Sequence, residues 1–316
     1  MKNDAAGPAR TSRAGELGPH GIAVVDKAAG WTSHDVVAKA RGILRTRKIG
    51  HAGTLDPDAT GVLVLGVGDA TRLLRFCTAL RKRYVGEIVL GVATTTLDAA
   101  GEVVAEVDMS HVSRDAVTAA AARFVGDIEQ VPPMVSAVKV AGRRLHELAR
   151  EGIEVERAAR PVSVYRFDVE PIDAAGPHPV YRAEVECSSG TYVRTLAADL
   201  GEALGGVAHL RALRRTAVGD FTLDGARPLE ALDPAELLPI SAAVRGLGAI
   251  VADPQTAAFV ANGRLLDPAA VAAPGEGPWA VFDPAGALLA VYEPHPKTGM
   301  LKPTLVLARG TTVTPQ

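Results

Sequence analysis

Cysteine, aromatic residues and long apolar runs are all scarce in this chain. Among 316 residues there are two cysteines, Cys77 and Cys187, and 4% of the residues are aromatic. The two cysteines lie far apart, so they provide neither a metal-binding spacing nor a disulfide framework. No apolar run is long enough to span a bilayer, and residues 1–20 lack the apolar core of a signal peptide. We therefore expect a cytoplasmic protein with no membrane contact and a disordered tail over residues 1–20.

Net charge is also small, but it is unevenly distributed. The whole chain carries a formal charge of −2. Between Lys39 and Arg83 there are ten basic and three acidic residues, a local balance of +7, whereas from Leu223 onward there are six basic and nine acidic residues, a balance of −3. Nucleic acids are bound by a locally basic face rather than by overall charge. The segment from Lys39 to Arg83 is thus a candidate polyanion-binding region, although an ordinary solvated surface has the same pattern.

Apolar segments alternate with turn residues in a way that predicts an α+β fold. Strands are predicted at 22–25, 62–67, 84–92 and 180–187, and helices at 33–44, 70–80, 113–125 and 195–204. Residues 130–156 are first broken by proline and then charged and helical in pattern, which indicates an inserted surface arm, and 228–244 suits a connecting helix. We expect a mixed, largely antiparallel sheet with flanking helices and a central cleft over 21–244. A small β-rich domain is expected over 245–316.

One loop stands out chemically, Gly50-His-Ala-Gly-Thr-Leu-Asp-Pro-Asp-Ala-Thr-Gly61. Its carboxylate Asp56 is followed by Pro57, which restricts the backbone of the preceding residue and favours an extended, fixed presentation of the side chain. An aspartate before proline is most often an ordinary turn residue. A phosphate-binding P-loop is excluded, because the Lys-Ser/Thr pair that it requires is missing.

This loop resembles the signature of the TruB family of pseudouridine synthases, which modify uridine 55 of tRNA. The resemblance covers roughly residues 21–221 and continues, in the expected order, through several separate motifs. These are Val24–Lys27, Gly30-Trp-Thr-Ser33, Gly66-Val-Gly-Asp-Ala-Thr71, Arg83-Tyr84, Pro132-Pro-Met-Val-Ser-Ala-Val-Lys139, Cys187-Ser-Ser-Gly-Thr-Tyr-Val-Arg194 and His209-Leu-Arg-Ala-Leu-Arg-Arg215. The resemblance implies a pseudouridine synthase fold over 21–244 and a PUA-like RNA-binding module over 245–316. The acidic balance of this C-terminal end argues against a strong grip on phosphate.

The resemblance also implies the reaction and its catalytic carboxylate. Asp56 aligns with the catalytic aspartate of the family. Isomerising uridine requires that the N1–C1′ bond breaks, that the uracil turns, and that C5 joins C1′. A carboxylate can serve either as a nucleophile at C1′ or as a base that removes the C2′ proton, and the sequence leaves both routes open. Neither route needs a metal or another cofactor, and we expect none.

Further site residues follow from the same alignment. Arg194 matches the arginine that pairs with the catalytic aspartate, and Tyr84 matches the tyrosine that stacks on the flipped base. Tyr192 and Leu213 match residues of the base pocket, and His51 matches a histidine that fills the space vacated by the base. Basic contacts to RNA, or structural roles, are expected for Lys27 and Lys139. Arg143 on the arm suits a salt-sensitive phosphate contact or an ordinary solvated surface equally well.

Three other functions compete with this interpretation. Guide-RNA-dependent synthases share the motifs, but the arm at 130–156 favours an enzyme that grips the tRNA T-arm unaided, without guide RNA. We expect a monomer, because the RNA would cover much of the surface. An RNA-binding module or tRNA-folding chaperone would not need Asp56, Arg194 and Tyr84 together, although a chaperone role can coexist with catalysis. A glycosidase needs two placed carboxylates, and only Asp58 lies close to Asp56 in sequence.

Overall fold

The computed structural model describes residues 18–136, 139–140, 142–153 and 155–307, with backbone only for residues 139, 140, 144, 146, 149 and 150. Most of the predicted tail at 1–20 and the last residues of the predicted C-terminal domain therefore lie outside the described residues. Within them the helices are α1 (Ser33–Ile43), α2 (Leu74–Ala79), α3 (Arg114–Ala122), α4 (Leu145–Arg150), α5 (Val193–Ala203) and α6 (Pro254–Ala261). The strands are β1 (Gly21–Lys27), β2 (Ile49–His51), β3 (Thr60–Val67), β4 (Lys82–Leu90), β5 (Val92–Thr94), β6 (Val103–Glu106), β7 (Gly126–Gln130), β8 (Lys139–Val140), β9 (Arg143–Arg144), β10 (Arg160–Asp173), β11 (Val180–Cys187), β12 (Ala208–Val218), β13 (Phe221–Thr222), β14 (Arg227–Pro228), β15 (Gly248–Val251), β16 (Trp279–Phe282), β17 (Leu288–Pro294) and β18 (Leu301–Val306).

A large mixed sheet organises the molecule. Its order is β14-β1-β3-β12-β4-β11-β10-β7, with β2 added beside β3 and β13 beside β12. Two of these pairings are parallel, β1 with β14 and β3 with β12, and the other pairings are antiparallel. The prediction of a mixed, largely antiparallel sheet with flanking helices is confirmed.

The parallel contact between β3 and β12 fixes the position of the Asp56 loop. It consists of two registers, Arg214 with Thr60 and Arg215 with Gly61. Gly61 has a φ of +100°, and a Cβ there would lie 2.2 Å from the carbonyl oxygen of Arg215. Only glycine permits both this backbone conformation and this approach. The loop that precedes β3 is therefore held directly against the middle of the sheet.

Helices cover the sheet with separate apolar clusters. Helix α1 begins at a capping box, in which Thr32 accepts from the Asp35 N–H and Asp35 accepts from the Thr32 N–H, and it buries Val36, Val37 and Ala40 on one side of the sheet. Helices α3 and α5 pack against β10, β11 and β4 in a second cluster. Two separate apolar clusters therefore anchor these helices to different parts of the sheet.

A second, four-stranded sheet lies near the C-terminus, in the order β15-β16-β17-β18. One face of this sheet packs in an apolar cluster of its own, which includes Trp279, Val281 and Tyr292. Leu288 and Val291, by contrast, belong to a cluster that includes residues of the large sheet. The predicted β-rich C-terminal module is confirmed, and it is packed firmly against the large sheet.

Two predicted elements differ from the structure. The connecting helix at 228–244 is instead a series of 3-10 turns at 229–231, 234–236 and 240–244, because Pro228, Pro234 and Pro239 interrupt helical hydrogen bonding. In the arm, α4 is short and the helical pattern extends no further through the described residues, since the chain becomes β10 at Arg160. Among the described residues, no helix is long and apolar enough to cross a membrane.

Candidate active site

Five of the predicted site residues line one cavity of about 230 Å³. Asp56 comes from the loop before β3, Tyr84 from β4, Leu213 from β12, and Tyr192 and Arg194 from the start of α5. These elements are distant in sequence but adjacent in the sheet, since β4 lies between β11 and β12. The fold therefore assembles a carboxylate, a guanidinium and two aromatic rings around a space with an open mouth.

Asp56 and Arg194 form a two-point ion pair at this cavity. Nε of Arg194 lies 3.1 Å from one carboxylate oxygen of Asp56, and a terminal nitrogen lies 3.4 Å from the other. The arginine side chain is 5% exposed, whereas 43% of the Asp56 side chain is exposed. A planar guanidinium matched to both oxygens fixes the direction of the carboxylate as well as its charge.

A second carboxylate holds the far side of Arg194. Asp98 Oδ2 lies 3.2 Å from the arginine Nη1, and Asp98 itself accepts from the Thr96 hydroxyl and the Ala100 N–H. Arg194 also donates to the carbonyl oxygens of Thr96, at 3.1 Å, and Val135, at 2.9 Å. These contacts fix the orientation of Arg194, and the bond to Val135 ties the Asp56–Arg194 pair to the predicted arm.

The charge of Asp56 is set by opposing influences. Burial raises the pKa of Asp56 above its ordinary value, and this is the largest influence. The Arg194 guanidinium opposes the shift, while the neighbouring carboxylates of Asp98 and Asp58 reinforce it. A carboxylate whose negative charge is incompletely compensated is a better nucleophile or base than a fully neutralised one.

Buried side chains hold the backbone on both sides of Asp56. Ser33 exchanges two hydrogen bonds with Leu55, accepting from its N–H at 2.9 Å and donating to its carbonyl at 3.3 Å. Arg215 donates to the carbonyls of Gly53 and Thr54 at 3.1 and 3.3 Å. After Asp56, the carbonyl of Pro57 accepts from the Lys27 ammonium at 2.8 Å. The loop is therefore held in place by hydrogen bonds from residues of the protein itself.

Tyr192 is positioned through its backbone rather than its ring. The buried amide of Gln130 accepts from the Tyr192 N–H at 2.7 Å and donates to its carbonyl at 3.1 Å. Because Tyr192 immediately precedes α5, this clamp also places Arg194 two residues later. Tyr84 packs partly against the apolar core and lines the cavity with its remaining surface. Burial raises the pKa of the Tyr84 hydroxyl, so the ring is neutral at physiological pH.

His51 lies outside the residues that line this cavity. It ends β2, and its ring meets that of His34 edge-on with the ring centres 5.5 Å apart. Burial lowers the pKa of His51, and the neighbouring His34 and Arg215 act in the same direction. At neutral pH His51 is therefore an uncharged ring beside the loop that carries Asp56. An uncharged ring is compatible with the predicted stacking on RNA.

The three predicted basic contacts have different surroundings. Lys27 is 1% exposed, and its ammonium donates to the carbonyls of Ala28, Trp31 and Pro57, so of its two expected roles the geometry favours the structural one. The side chain of Lys139 lies outside the described residues. Arg143 is exposed and pairs with Glu151. An exposed ion pair of this kind is readily exchanged for a phosphate contact.

Sequence reasoning missed four residues of the site. Arg215 belongs to the motif that ends at this position, but its packing beneath the loop is visible only in the fold. Asp98 and Gln130 reach the site from distant loops and strands, and no local pattern marks them. Lys82 precedes the predicted Arg83-Tyr84 motif by one residue and lines the cavity as a buried cation. In the described residues no group of three or more His, Cys, Asp or Glu side chains is arranged to hold a metal ion.

Comparison with known proteins identifies the family to which the chain is similar. Residues 41–193 match the model of the TruB family pseudouridylate synthase N-terminal domain, and residues 194–240 match that of the tRNA pseudouridylate synthase B C-terminal domain. The junction between these two matches falls at the start of α5. Both matched regions contribute strands to the large sheet, the first β4 and β11 among others, and the second β12.

Whole-chain relatives agree with the family match. A protein of Rhodococcus jostii (strain RHA1) named tRNA pseudouridine synthase B is 50% identical over 277 residues, covering 86% of this chain and 90% of the relative. The protein of the same name from Streptomyces coelicolor is 50% identical over 285 residues, covering 88% and 94%. Among solved structures, a chain of a Cbf5–Nop10–Gar1 complex superposes with a TM-score of 0.67 at 27% identity, covering 92% of this chain and 85% of that chain. The chain therefore belongs to the TruB family of pseudouridylate synthases.

Proposed function

We propose that this protein isomerises a uridine in the T-loop of tRNA, at position 55, to pseudouridine, with Asp56 as its catalytic carboxylate. The observation that carries the proposal is the pairing of both Asp56 oxygens with the buried Arg194 in a cavity walled by Tyr84, Tyr192 and Leu213. Relatives named tRNA pseudouridine synthase B match this chain over most of their length, which supports tRNA as the substrate.

The chemistry requires one carboxylate and no redox or hydrolytic partner. The N1–C1′ bond breaks and its electron pair leaves with the uracil. Asp56 either forms a bond to C1′ or accepts the proton from C2′. The uracil then turns and C5 bonds to C1′, either as the Asp56–C1′ bond breaks or as Asp56 returns the proton to C2′. The C5 proton is lost and N1 gains a proton, so that the product is an isomer of the substrate and Asp56 is regenerated. Arg194 holds the carboxylate in place throughout, since its own contacts do not depend on substrate.

The target base must leave its stack to reach this cavity. Unstacking costs a few kcal/mol, which protein contacts have to offset. Tyr84 offers an aromatic face to the entering base, and Leu213 and Tyr192 supply further apolar surface. His51, uncharged and beside the loop, fills the space that the base leaves. Recognition of the T-arm then rests mainly on its shape and phosphates.

The tRNA T-arm is proposed as the sole macromolecular partner. The enzyme acts as a cytoplasmic monomer without guide RNA, and residues 130–156 grip the RNA, with Arg143 and Lys139 as basic contacts. Residues 21–244 form the catalytic domain, and residues 245–316 form a PUA-like domain that contacts the acceptor side of the tRNA or stabilises the catalytic domain. The sheet of β15–β18 and its packing on the large sheet support this division. A tRNA-folding role in addition to catalysis is compatible with this arrangement.

The test is site-resolved detection of pseudouridine in an unmodified tRNA transcript incubated with the purified protein alone. The expected product is pseudouridine at the T-loop uridine, formed without guide RNA, a second protein or an added cofactor. Product that forms only after a guide RNA and accessory proteins are added would contradict stand-alone action. Tight tRNA binding without any product would favour an RNA-binding module instead.

A further inference from the structure

Lys82 is a buried cation at the active-site cavity that the reaction outlined above does not use. It is 5% exposed and lines the cavity together with Tyr84, which lies two residues further along the same face of β4. In the described part of the chain, none of the ion pairs includes Lys82. A charged ammonium that is buried without a counter-anion is costly and calls for an explanation.

The Lys82 ammonium has one N–H group that does not donate to a carbonyl of the protein in the described residues. Its ammonium donates to the carbonyl of Leu80, at 2.7 Å, and to that of Thr78. An ammonium has three N–H groups, so one remains beside the cavity that the side chain lines. Lys27 differs in this respect, because its three donors all reach carbonyls of the protein.

Other groups around Lys82 add positive rather than negative charge. Arg215 on β12 also lines the cavity, and its guanidinium is 1% exposed and bonded to backbone carbonyls. Cys77 on α2 and Cys187 on β11 face the ammonium, but burial raises the pKa of each thiol to about 11, so both are neutral. The neighbouring Tyr84 hydroxyl is neutral as well. The Asp56 carboxylate lines the same cavity, but it is paired with Arg194. The part of the cavity lined by Lys82 and Arg215 is therefore electropositive.

The proposed reaction creates an anion in this cavity. When the N1–C1′ bond breaks, its electron pair stays on the uracil, whose negative charge spreads over N1, O2 and O4. The charge persists until C5 bonds to C1′, because the electron pair is then used in the new bond and the base becomes neutral. Loss of the C5 proton and protonation of N1 follow and complete the product. Donors that are preorganised where charge develops are among the largest contributions to catalysis.

We propose that the Lys82 ammonium, backed by Arg215, stabilises the uracil anion that exists between cleavage of the N1–C1′ bond and formation of the C5–C1′ bond. This inference rests on the proposed function. It makes Lys82 a catalytic residue that donates its remaining N–H to a carbonyl oxygen of the detached base. The alternative is that Lys82 only caps the carbonyls at the C-terminal end of α2.

The pH dependence distinguishes these two roles. Burial, with Arg215 as a further influence, lowers the pKa of Lys82 to about 8. Lys82 is thus charged below that pH and loses its charge as the pH rises through it. The single-turnover rate of the wild-type protein at saturating tRNA is expected to fall in this alkaline range. Lys82→Arg, which keeps its charge there, should not show this decline.

Removal of the charge gives the direct test. Lys82→Met keeps the length of the side chain and should lower the single-turnover rate by about 10²-fold or more, the effect of deleting one preorganised donor. Affinity for tRNA should stay within about threefold of wild type, since the anion does not exist before bond cleavage. Arg123→Met, which removes an exposed cation at the end of α3 and outside the segments proposed to contact RNA, serves as the control and should leave the rate unchanged.

A substrate with 5-fluorouridine at the target position separates catalysis from folding. Fluorine withdraws electrons and stabilises the base anion without help from the protein. The loss caused by Lys82→Met, measured as disappearance of the fluorinated nucleoside, should therefore be smaller on this substrate than on uridine.

Two results would overturn the proposed role of Lys82 but leave the proposed function of the protein intact. One is a Lys82→Met rate within about threefold of wild type, and the other is an equal loss on both substrates together with a lowered thermal midpoint, which indicates a structural cap. Absence of pseudouridine with the wild-type protein would instead overturn the proposed function, and this inference with it.

Discussion

Arg194→Lys preserves the charge beside Asp56 but removes the geometry that the structure gives it. The guanidinium makes five contacts, two with the Asp56 oxygens, one with Asp98, and two with the carbonyls of Thr96 and Val135. A lysine ammonium has three donors that diverge from one atom. At least two contacts are therefore lost, and the two-point pairing with Asp56 cannot be reproduced.

The expected loss of rate follows from this count. Hydrogen bonds to charged groups are worth about 1.5–3 kcal/mol each, but part of that is lost equally from the free enzyme and the transition state. A misplacement of a reacting group by about 1 Å costs about 10²-fold in rate. We expect Arg194→Lys to lower the single-turnover rate by about 10²–10³-fold, or about 2.7–4.1 kcal/mol at 1.36 kcal/mol per factor of ten.

The assay is single-turnover pseudouridine formation at saturating tRNA, with tRNA affinity measured separately. Affinity should be nearly unchanged, because Arg194 is 5% exposed and buried behind Asp56. Arg166→Lys is the matched control, since Arg166 also contacts two carboxylates, Asp168 and Glu184, but is exposed on β10. If Arg194→Lys keeps more than about a tenth of the wild-type rate, about 1.4 kcal/mol, charge alone suffices and the geometric reasoning is refuted.

Three further predictions concern the groups that hold the site. Gln130→Met leaves the Tyr192 N–H and carbonyl without their partner, so the free energy of unfolding in urea should fall by about 2–4 kcal/mol, and an unchanged value would contradict the clamp. Lys27→Met removes the donor shared by three loop carbonyls and should lower both the free energy of unfolding and the rate of pseudouridine formation. The salt dependence of tRNA binding should stay unchanged. A reduced salt dependence would instead indicate that Lys27 contacts a phosphate. The rate should rise with pH through the pKa of Asp56, which burial raises, so the acid limb should have its midpoint above that of an ordinary aspartate, and a midpoint at or below the ordinary value would contradict this.

A site residue could be predicted from the sequence when it lies in one of the recognisable motifs, and could not when it lies outside them. Asp56, Tyr84, Tyr192, Arg194 and Leu213 lie in contiguous motifs that also line the cavity, so the family resemblance was sufficient to find them. Their roles stay predictions until the variants are measured. Asp98 could not be found in this way, because it contacts Arg194 from a loop whose own sequence has no distinctive chemistry.

Strand β12 shows why the fold was predicted less completely than the chemistry. Its run of arginines interrupts the alternation of apolar and polar residues that marks a strand. In the structure these arginines take different directions, with Arg211 and Arg214 paired to Glu87 and Asp26, and Arg215 buried beneath the loop. The polar residues that obscured the strand thus connect β12 to its neighbours, Arg211 to β4 and Arg214 to β1, and Arg215 connects it to the loop that carries Asp56.

The most direct test of the central claim compares two carboxylates in the same loop. Asp56→Asn and Asp58→Asn each remove one charge, but Asp56 is paired with Arg194 in the cavity whereas Asp58 is exposed. The measurement is pseudouridine at the T-loop uridine of an unmodified tRNA transcript, with tRNA binding as the check on folding. The account predicts no product with Asp56→Asn and a rate close to wild type with Asp58→Asn, while both variants bind tRNA. Product from Asp56→Asn at a rate comparable to that of wild type would contradict it.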